Sequence, residues 1–169
     1  MPEEIFEIVD DSNNVIGTAK RGECHGNPVL IHRTAHVIVF HPDGRMLLQK
    51  RSMNKDIQPG KWDTAVGGHL MPGEDFETAA RREMKEELGM PPNLPLKHLF
   101  ESKIRNKIES ENTSVYSTVY EGPFDFPKDE IDDVKFWTVL ELRNGMTKDY
   151  FTENLKTELG KLFEMGIVC

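Results

Sequence analysis

The chain has 169 residues, of which 37% are hydrophobic and 30% are charged, and its formal net charge is -8. This length and composition are typical of one soluble globular domain with a substantial core. The negative charge argues against a groove for a nucleic acid polymer, which needs a basic surface, but not against a small anion that metal ions help to bind. Two cysteines, Cys24 and Cys169, are too few for a disulfide framework.

The chain begins with an acidic segment, residues 1–9, that lacks the apolar core of a signal peptide. No apolar run in the sequence approaches the length needed to cross a membrane. We therefore expect a cytoplasmic protein with no membrane partner.

Two β-hairpins are predicted in the first third of the chain. Apolar residues on both sides of the turn formers at 11–14 predict an N-terminal hairpin over residues 5–21. A loop with two glycines and a proline follows at residues 22–28. A second hairpin is predicted over residues 32–51, because the Pro-Asp-Gly turn at 42–44 separates two apolar runs. We expect its strands to be central in a sheet.

Four more strands and a terminal helix are predicted further along the chain. The strands are expected at residues 62–66, 96–104, 114–120 and 134–138. The helical spacing of Phe151, Leu155 and Leu159 predicts an amphipathic helix over residues 151–165. Because neither a repeat nor a linker interrupts the sequence, we expect one domain over residues 1–169.

A helix is predicted from about residue 75 to residue 88. This stretch contains no Gly or Pro, and Gly89 with the prolines after it is a stop signal. At about 100° per residue, Glu83, Glu86 and Glu87 fall on one face of the helix, beside an apolar stripe. Such acids repel one another, so a hard cation such as Mg²⁺ is expected to compensate, although a solvated acidic face of this kind is also common without an ion.

The helix acids belong to a longer pattern over residues 68–90, Gly-x5-Glu-x7-Arg-Glu-apolar-x-Glu-Glu-x-Gly-apolar. This pattern resembles the signature, or box, of the Nudix hydrolases, and every specified position is filled. The resemblance implies one α/β (α+β) Nudix domain, in which a mixed β-sheet is sandwiched between helices after the N-terminal hairpin. It also implies an enzyme that cleaves a phosphoanhydride bond in a nucleoside diphosphate-linked or other small diphosphate compound by water attack.

The same resemblance implies that the cofactor is Mg²⁺ or Mn²⁺. Its ligands would be Glu83, Glu86, Glu87 and the backbone carbonyl of Gly67. Arg82 would orient a carboxylate by a charge-assisted hydrogen bond, and Glu74 would brace Arg82. The general base stays open between Glu83 and Glu86 on the helix and Glu111, which is expected in a later loop.

Residues 6–137 also resemble the isopentenyl diphosphate isomerases, which are Nudix-fold enzymes. By this resemblance, metal-binding histidines and diphosphate-binding cations correspond to His25, His32, His69, Arg51 and Lys55. Glu111 matches the first of two downstream metal-binding glutamates of that family, whereas Thr113 stands at the second position. We therefore expect one ligand of the isomerase metal site to be missing here.

Gly67 distinguishes the chain from the isomerases, which place a catalytic cysteine directly before the Gly68-His69 step. Without this acid, migration of a double bond lacks a mechanism. The isomerases also lack the paired box acids that this chain keeps at Glu83 and Glu86. Hydrolysis is therefore the preferred function, and the alternatives are an isomerase-like enzyme and a non-catalytic diphosphate-binding Nudix domain.

Several side chains outside the box helix are expected to contact the substrate, namely Arg51, Lys55, His69 and Glu111. His25, His32 and His69 have the ligand type for a second metal site. The alternative stays open that they are ordinary surface residues, because His25 lies in a loop and His32 begins a strand. We expect the remaining histidines, His36, His41 and His98, to be structural or exposed. Loops at residues 103–112 and 123–133 are expected to determine specificity, while the substrate and a possible homodimer are left open.

Overall fold

The computed structural model describes residues 3–55 and 57–169. The elements are, in order, β1 (Ile5–Val9), β2 (Val15–Lys20), α1 (Arg21–Cys24), β3 (Ile31–Phe40), β4 (Met46–Arg51), β5 (Trp62–Thr64), β6 (Val66–His69), α2 (Phe76–Leu88), β7 (Lys97–Arg105), β8 (Ser110–Val119), β9 (Ile131–Trp137), α3 (Val139–Gly145) and α4 (Glu153–Glu164). The strands form one mixed sheet, and helices pack on both of its faces. The predicted α+β architecture is therefore confirmed.

The N-terminal hairpin is present as predicted, since β1 and β2 pair antiparallel along their length. The loop predicted at residues 22–28 begins instead within the single helical turn of α1. The Glu23 carboxylate accepts a hydrogen bond from the Lys20 amide at 3.2 Å and so ties the start of this turn. At the end of the turn, His25 lies beside His32 of β3, with ring centroids 5.9 Å apart.

β3 is the central strand of the sheet. It pairs in parallel with β8 along its whole length, antiparallel with β6, and at its first residue with β1. It meets β4 only at the Phe40–Met46 pair beside the turn. The second predicted hairpin is therefore confirmed at its turn but wrong in its strand pairing, because β6 and β8 occupy the two edges of β3 and β4 pairs with β5 and β9 instead.

The strand predicted at residues 62–66 is two short strands in the structure. β5 pairs with β4 and β6 pairs with β3, with the fully buried Ala65 between them. This change of partner carries the chain from one half of the sheet to the other. It places Gly67 directly opposite His36 of β3, at the entrance to the box loop.

Two elements near the C-terminal half differ from their predictions. β8 begins at Ser110, so Glu111 and Asn112 lie in a strand rather than in the loop expected at residues 103–112. The hydrophobic pattern does not predict α3, although Thr138 caps this helix and forms a capping box with Glu141. The Thr-x-x-Glu spacing of that box is visible in the sequence.

Two apolar clusters fix helices to opposite faces of the sheet. α2 contributes Ala79, Ala80, Met84 and Leu88 to the first cluster, and α4 contributes Leu155, Leu159 and Leu162 to the second. Burial of each leucine or methionine side chain contributes about 1.5–3 kcal/mol. Trp62 is partly buried and packs edge to face on Trp137 against the second cluster. No helix within the described residues is long and apolar enough to span a bilayer.

Candidate active site

The acidic helix α2 begins and ends close to its predicted limits. The Asp75 carboxylate caps its first turn by accepting from the Thr78 amide at 2.7 Å. Gly89 ends it in the left-handed conformation, with φ 64°. Because the apolar side of the helix is fixed in the core, the neighbouring face with its glutamates is held towards the sheet and the box loop.

Arg82 organises the acids around it. Its guanidinium donates two hydrogen bonds to Glu74, at 2.8 and 2.9 Å, and others to Glu83 at 2.7 Å and to Glu86 at 3.1 Å. It also donates to the backbone carbonyl of His69 at 3.0 Å. Glu74 therefore braces Arg82, and Arg82 orients Glu83, which is the arrangement that the sequence predicts for these residues.

Glu87 lies at the buried end of the acidic face. Its two carboxylate oxygens accept from the Gly67 amide at 3.0 Å and from the Gln49 side chain at 3.3 Å. Burial, followed by the charge of Glu83, raises the pKa of Glu87 to about 8. Burial also raises the pKa of Glu83. Two neighbouring carboxyls that resist ionisation need protons or a cation, so this donor set fits a divalent metal ion.

The close approach of Glu83 to the box loop requires a glycine at position 68. A Cβ atom on Gly68 would overlap the Glu83 carboxyl group. Glu86, in contrast, is 59% exposed and has only Arg82 as an ion-pair partner among the described residues. The three predicted metal ligands thus run from the partly buried Glu87 and Glu83 to the exposed Glu86 at the open side of the site.

One cavity of about 1140 Å³ collects nearly all of the predicted site residues. Its lining includes Arg51, Lys55, Gly67, His69, Arg82, Glu83, Glu86, Glu87 and Glu111, whereas Glu74 lies behind Arg82. Arg51 is held in place by a hydrogen bond from its Nε to the Ile57 carbonyl at 3.0 Å and lies 3.6 Å from Asp63. Cations and carboxylates therefore line the same cavity.

The three histidines that resemble the isomerase ligands form a cluster at one side of this cavity. Ligand atoms of His25, His32 and His69 all lie within 4.8 Å of one another. Glu111 reaches two of them through the same oxygen, at 3.0 Å from Nε2 of His32 and 3.5 Å from Nε2 of His69. His32 is completely buried, so the surface position considered for it is wrong.

Glu109 completes this cluster and corrects the expectation of a missing ligand. Its carboxylate lies 3.2 Å from Nε2 of His25, and it also belongs with His32 and Glu111 to a group whose ligand atoms lie within 4.8 Å. Thr113 is not part of the cluster, because its hydroxyl contacts that of Thr34 at 2.6 Å. The two glutamates of the cluster are therefore Glu109 and Glu111. The resemblance to the isomerases indicates positions 111 and 113 instead, which is a shift of two residues.

The protonation of the cluster suits a metal ion. Burial and neighbouring positive groups lower the pKa of His25, and burial lowers that of His69, which favours the neutral rings that bind metals. Burial raises the pKa of Glu109 to about 7, while hydrogen bonds from His32 and His69 outweigh burial and lower that of Glu111. The buried Nε2 of His25 has no hydrogen-bond partner within the described residues. Three imidazoles and two carboxylates fit a transition-metal cation.

His36, which is expected to be structural or exposed, has a buried ion-pair partner in the structure. Its Nδ1 lies 2.8 Å from a carboxylate oxygen of Glu158 on α4, and the hydroxyl of Thr64 donates to the other oxygen. Burial alone would lower the pKa of His36. The charge and the hydrogen bond of Glu158 outweigh burial and raise this pKa above its ordinary value, to about 9. Since 122 positions separate the two partners in the sequence, no local pattern reveals this pair.

Comparison with known proteins agrees with this geometry. Residues 30–155 match the NUDIX domain family. An isopentenyl-diphosphate Delta-isomerase of Streptomyces avermitilis is 32% identical, over 92% of this chain and 81% of its own length. An uncharacterized Nudix hydrolase of Yersinia pestis is 33% identical, over 90% of this chain and 82% of its own.

Solved structures share the fold at lower sequence identity. A Deinococcus radiodurans protein has a TM-score of 0.79 and 22% identity, covering 94% of this chain and 98% of that one. A MutT protein from Methanosarcina mazei has a TM-score of 0.69 and 15% identity, covering 83% and 96% of the two chains. Together with the family match and the relatives above, these neighbours establish that the chain belongs to the Nudix hydrolase family.

Proposed function

We propose that the protein hydrolyses a phosphoanhydride bond in a nucleoside diphosphate-linked or other small diphosphate compound, with Mg²⁺ or Mn²⁺ as cofactor. The observation that carries this proposal is the convergence of Glu83, Glu86 and Glu87 on a cavity that also presents cations. A binding protein without catalysis has no need for two carboxyl groups whose pKa values are raised by burial beside an arginine.

In this proposal the metal is held by Glu83, Glu86, Glu87 and the backbone carbonyl of Gly67. When bound, the ion would neutralise phosphate oxygens and lower the pKa of a water molecule. Other residues of the chain hold the metal ligands in place: Arg82 fixes the orientation of Glu83, and the Gly67 amide fixes Glu87.

Glu83 or Glu86 is the proposed general base, because both carboxylates line the cavity on the acidic face. Glu111, the alternative considered from the sequence, is already hydrogen-bonded to His32 and lies in a strand. It is therefore better suited as a metal ligand than as a base. Arg51, Lys55 and His69 are the proposed contacts of the diphosphate.

We further propose that His25, His32, His69, Glu109 and Glu111 bind a second metal ion. The donor set supports this site, and so does Nε2 of His25, which lies 3.2 Å from Glu109 but makes no hydrogen bond within the described residues. It lies on the same cavity as the box acids, so a diphosphate between the two ions would be neutralised from both ends. A cytoplasmic location, a single domain and a possible homodimer remain predictions.

An isomerase is the second candidate, because isomerase-named relatives are similar over most of the chain and the histidine–glutamate cluster is complete. The absence of a thiol at Gly67 argues against it, since Cys24 is buried and burial raises the pKa of its thiol. We expect no turnover of isopentenyl diphosphate to its allylic isomer in an isomerisation assay.

The test of the proposed function is a phosphate-release assay over a panel of nucleoside, sugar, coenzyme and isoprenoid diphosphates with Mg²⁺ or Mn²⁺. At least one compound should be hydrolysed, and Glu87→Gln should lower kcat about 100-fold or more because it removes a charged ligand from the site. Glu77→Gln is the matched control, since Glu77 is an exposed acid of the same helix that pairs with Arg81 outside the cavity. Equal activity of Glu87→Gln and the wild type would refute the proposal.

A further inference from the structure

His36 and Gly67 face each other across two paired strands of the cavity wall. A Cβ atom built on Gly67 lies 3.0 Å from Cδ2 and 3.1 Å from Nε2 of the His36 ring. The imidazole therefore occupies the space into which a side chain at position 67 would project. His36 and Gly67 both line the cavity, and the Cδ2–Nε2 edge is the edge of the ring that lies against Gly67.

The ring is held from behind by a buried carboxylate. Glu158, only 7% exposed, lies 2.8 Å from Nδ1, and its second oxygen accepts from Thr64. A carboxylate in this position requires Nδ1 to carry the hydrogen, as the orienting acid does in other carboxylate–histidine pairs. Nε2 is then the ring nitrogen left for another partner, and it makes no hydrogen bond within the described residues.

Nε2 lies close to the place where the proposed substrate is expected to bind. The Gly67 carbonyl and Glu87 belong to the proposed metal site, so a phosphate on that metal must lie close to Gly67. Nε2 is a polar ring atom that makes no hydrogen bond within the described residues, so it is available to the phosphate group or to a water molecule bound with it. A purely structural role accounts for the contact with Glu158 but not for the polar edge that lies against Gly67.

We propose that His36 is a substrate-binding residue that contacts the diphosphate, or a water molecule bound with it, through Nε2, and that Glu158 is the residue that positions the ring. This inference rests on the proposed function for the identity of the ligand class. It adds a contact on the β3 side of the cavity, opposite the acidic helix.

Two substitutions of His36 separate the contact with substrate from the contact with Glu158. His36→Asn places an amide near the position of Nδ1, so it retains the partner of Glu158 and loses the edge that lies against Gly67. His36→Gln extends an amide towards the position of Nε2 and loses the bond to Glu158. The matched control is His41→Asn, because His41 pairs with Asp43 and Glu121 at a turn outside the cavity.

Binding of methylenediphosphonate, a diphosphate analogue that cannot be hydrolysed, is measured by calorimetry in Mg²⁺, together with the thermal midpoint of each protein. We expect His36→Asn to weaken binding about tenfold with a small change in midpoint, and His36→Gln to recover part of the affinity at a lower midpoint. With a hydrolysed substrate, His36→Asn should raise KM more than it lowers kcat.

The opposite pattern overturns the inference: wild-type affinity in His36→Asn with lost stability in His36→Gln assigns His36 a structural role only. If the wild type binds the analogue but hydrolyses no compound of the panel, the proposed function fails while the affinities still decide the role of His36. If His36→Asn does not fold, His36→Ala replaces it: wild-type affinity in that variant contradicts the contact, and binding about tenfold weaker than in His41→Asn supports it.

Discussion

A residue without a side chain sets the position of a proposed metal ligand. Gly68 leaves the space that the Glu83 carboxyl occupies, and Arg82 holds that carboxyl from the other side. We predict that Gly68→Ala displaces Glu83 and lowers kcat about tenfold or more, because small misplacement of a reacting group is costly. Steady-state kinetics at several Mg²⁺ concentrations measure the effect.

Gly17→Ala is the control for this substitution. A Cβ on Gly17 meets no atom within 4 Å, and this residue lies in β2, outside the cavity. Its activity should equal that of the wild type. Unchanged kcat and Mg²⁺ dependence in Gly68→Ala would show that Glu83 does not need its present position.

The metal-free protein is predicted to lose stability as the pH rises. Burial and the charge of Glu83 raise the pKa of Glu87 from 4.5 to about 8, so in this range the folded chain keeps a proton that the unfolded chain has released. The free energy of unfolding therefore falls with increasing pH between these two values. Urea denaturation in the presence of a chelator, at several pH values from about 5 to 8, measures this slope.

Glu87→Gln removes the titrating group and should flatten the slope. The pKa of His36 is raised from 6.5 to about 9, so its contribution to stability is also lost as the pH rises through that range. Because both proteins share the His36 contribution, the difference between their slopes isolates Glu87. Parallel slopes would mean that the Glu87 carboxyl is ionised in the metal-free protein.

The sequence predicts the box acids well and the rest of the site poorly. Glu83, Glu86 and Glu87 lie on one helical turn, where spacing alone determines that they share a face. His36 and Glu158 meet only after β3 and α4 pack together, and Glu109 joins the histidine cluster only because β8 lies beside His32. Local periodicity carries no information about such distant contacts.

At the scale of elements, the sequence predicts turns better than it predicts which strands pair. The Pro-Asp-Gly turn at residues 42–44 joins β3 and β4 as expected, yet β3 takes a parallel partner, β8, from the other half of the chain. The same limit applies to residues 62–66, which are predicted to be one strand but change neighbour at Ala65. Turn chemistry is local, whereas the choice of neighbour depends on the whole sheet.

The end of α2 is predicted to depend on Gly89. Its φ of 64° is unfavourable for other residues, and a Cβ there would lie 3.0 Å from atoms of Asp125. Gly89→Ala should therefore lower the free energy of unfolding by about 1 kcal/mol or more. Urea denaturation measures the change.

Gly160→Ala is the informative comparison, because this glycine lies inside α4 and a Cβ there meets nothing within 4 Å. The same substitution should there raise the free energy of unfolding by about 0.5–1 kcal/mol. If both variants are destabilised alike, the left-handed conformation of Gly89 is not the cause.

At the scale of the whole molecule, two acidic clusters face one cavity from different elements. The box acids come from α2, whereas the histidine–glutamate cluster combines the ends of α1, β3, β6 and β8. His69 links the two, because its carbonyl accepts from Arg82 at 3.0 Å and its ring lies 3.5 Å from Glu111. A chain with a net charge of -8 can thus bind an anion, provided that cations occupy the cavity.

This arrangement predicts two independent metal ions per chain. Equilibrium dialysis with Mn²⁺ followed by elemental analysis should give a stoichiometry near two for the wild type and near one for both Glu87→Gln and His32→Ala. Because each variant retains one intact cluster, adding both substitutions should reduce the stoichiometry towards zero. Bound metal also stabilises the folded state, so a chelator should lower the thermal midpoint more in the wild type than in either variant. A stoichiometry of one that only Glu87→Gln abolishes would leave the histidine–glutamate cluster as a structural network, held by the hydrogen bond between Glu111 and His32 and by the close contact of Glu109 with His25.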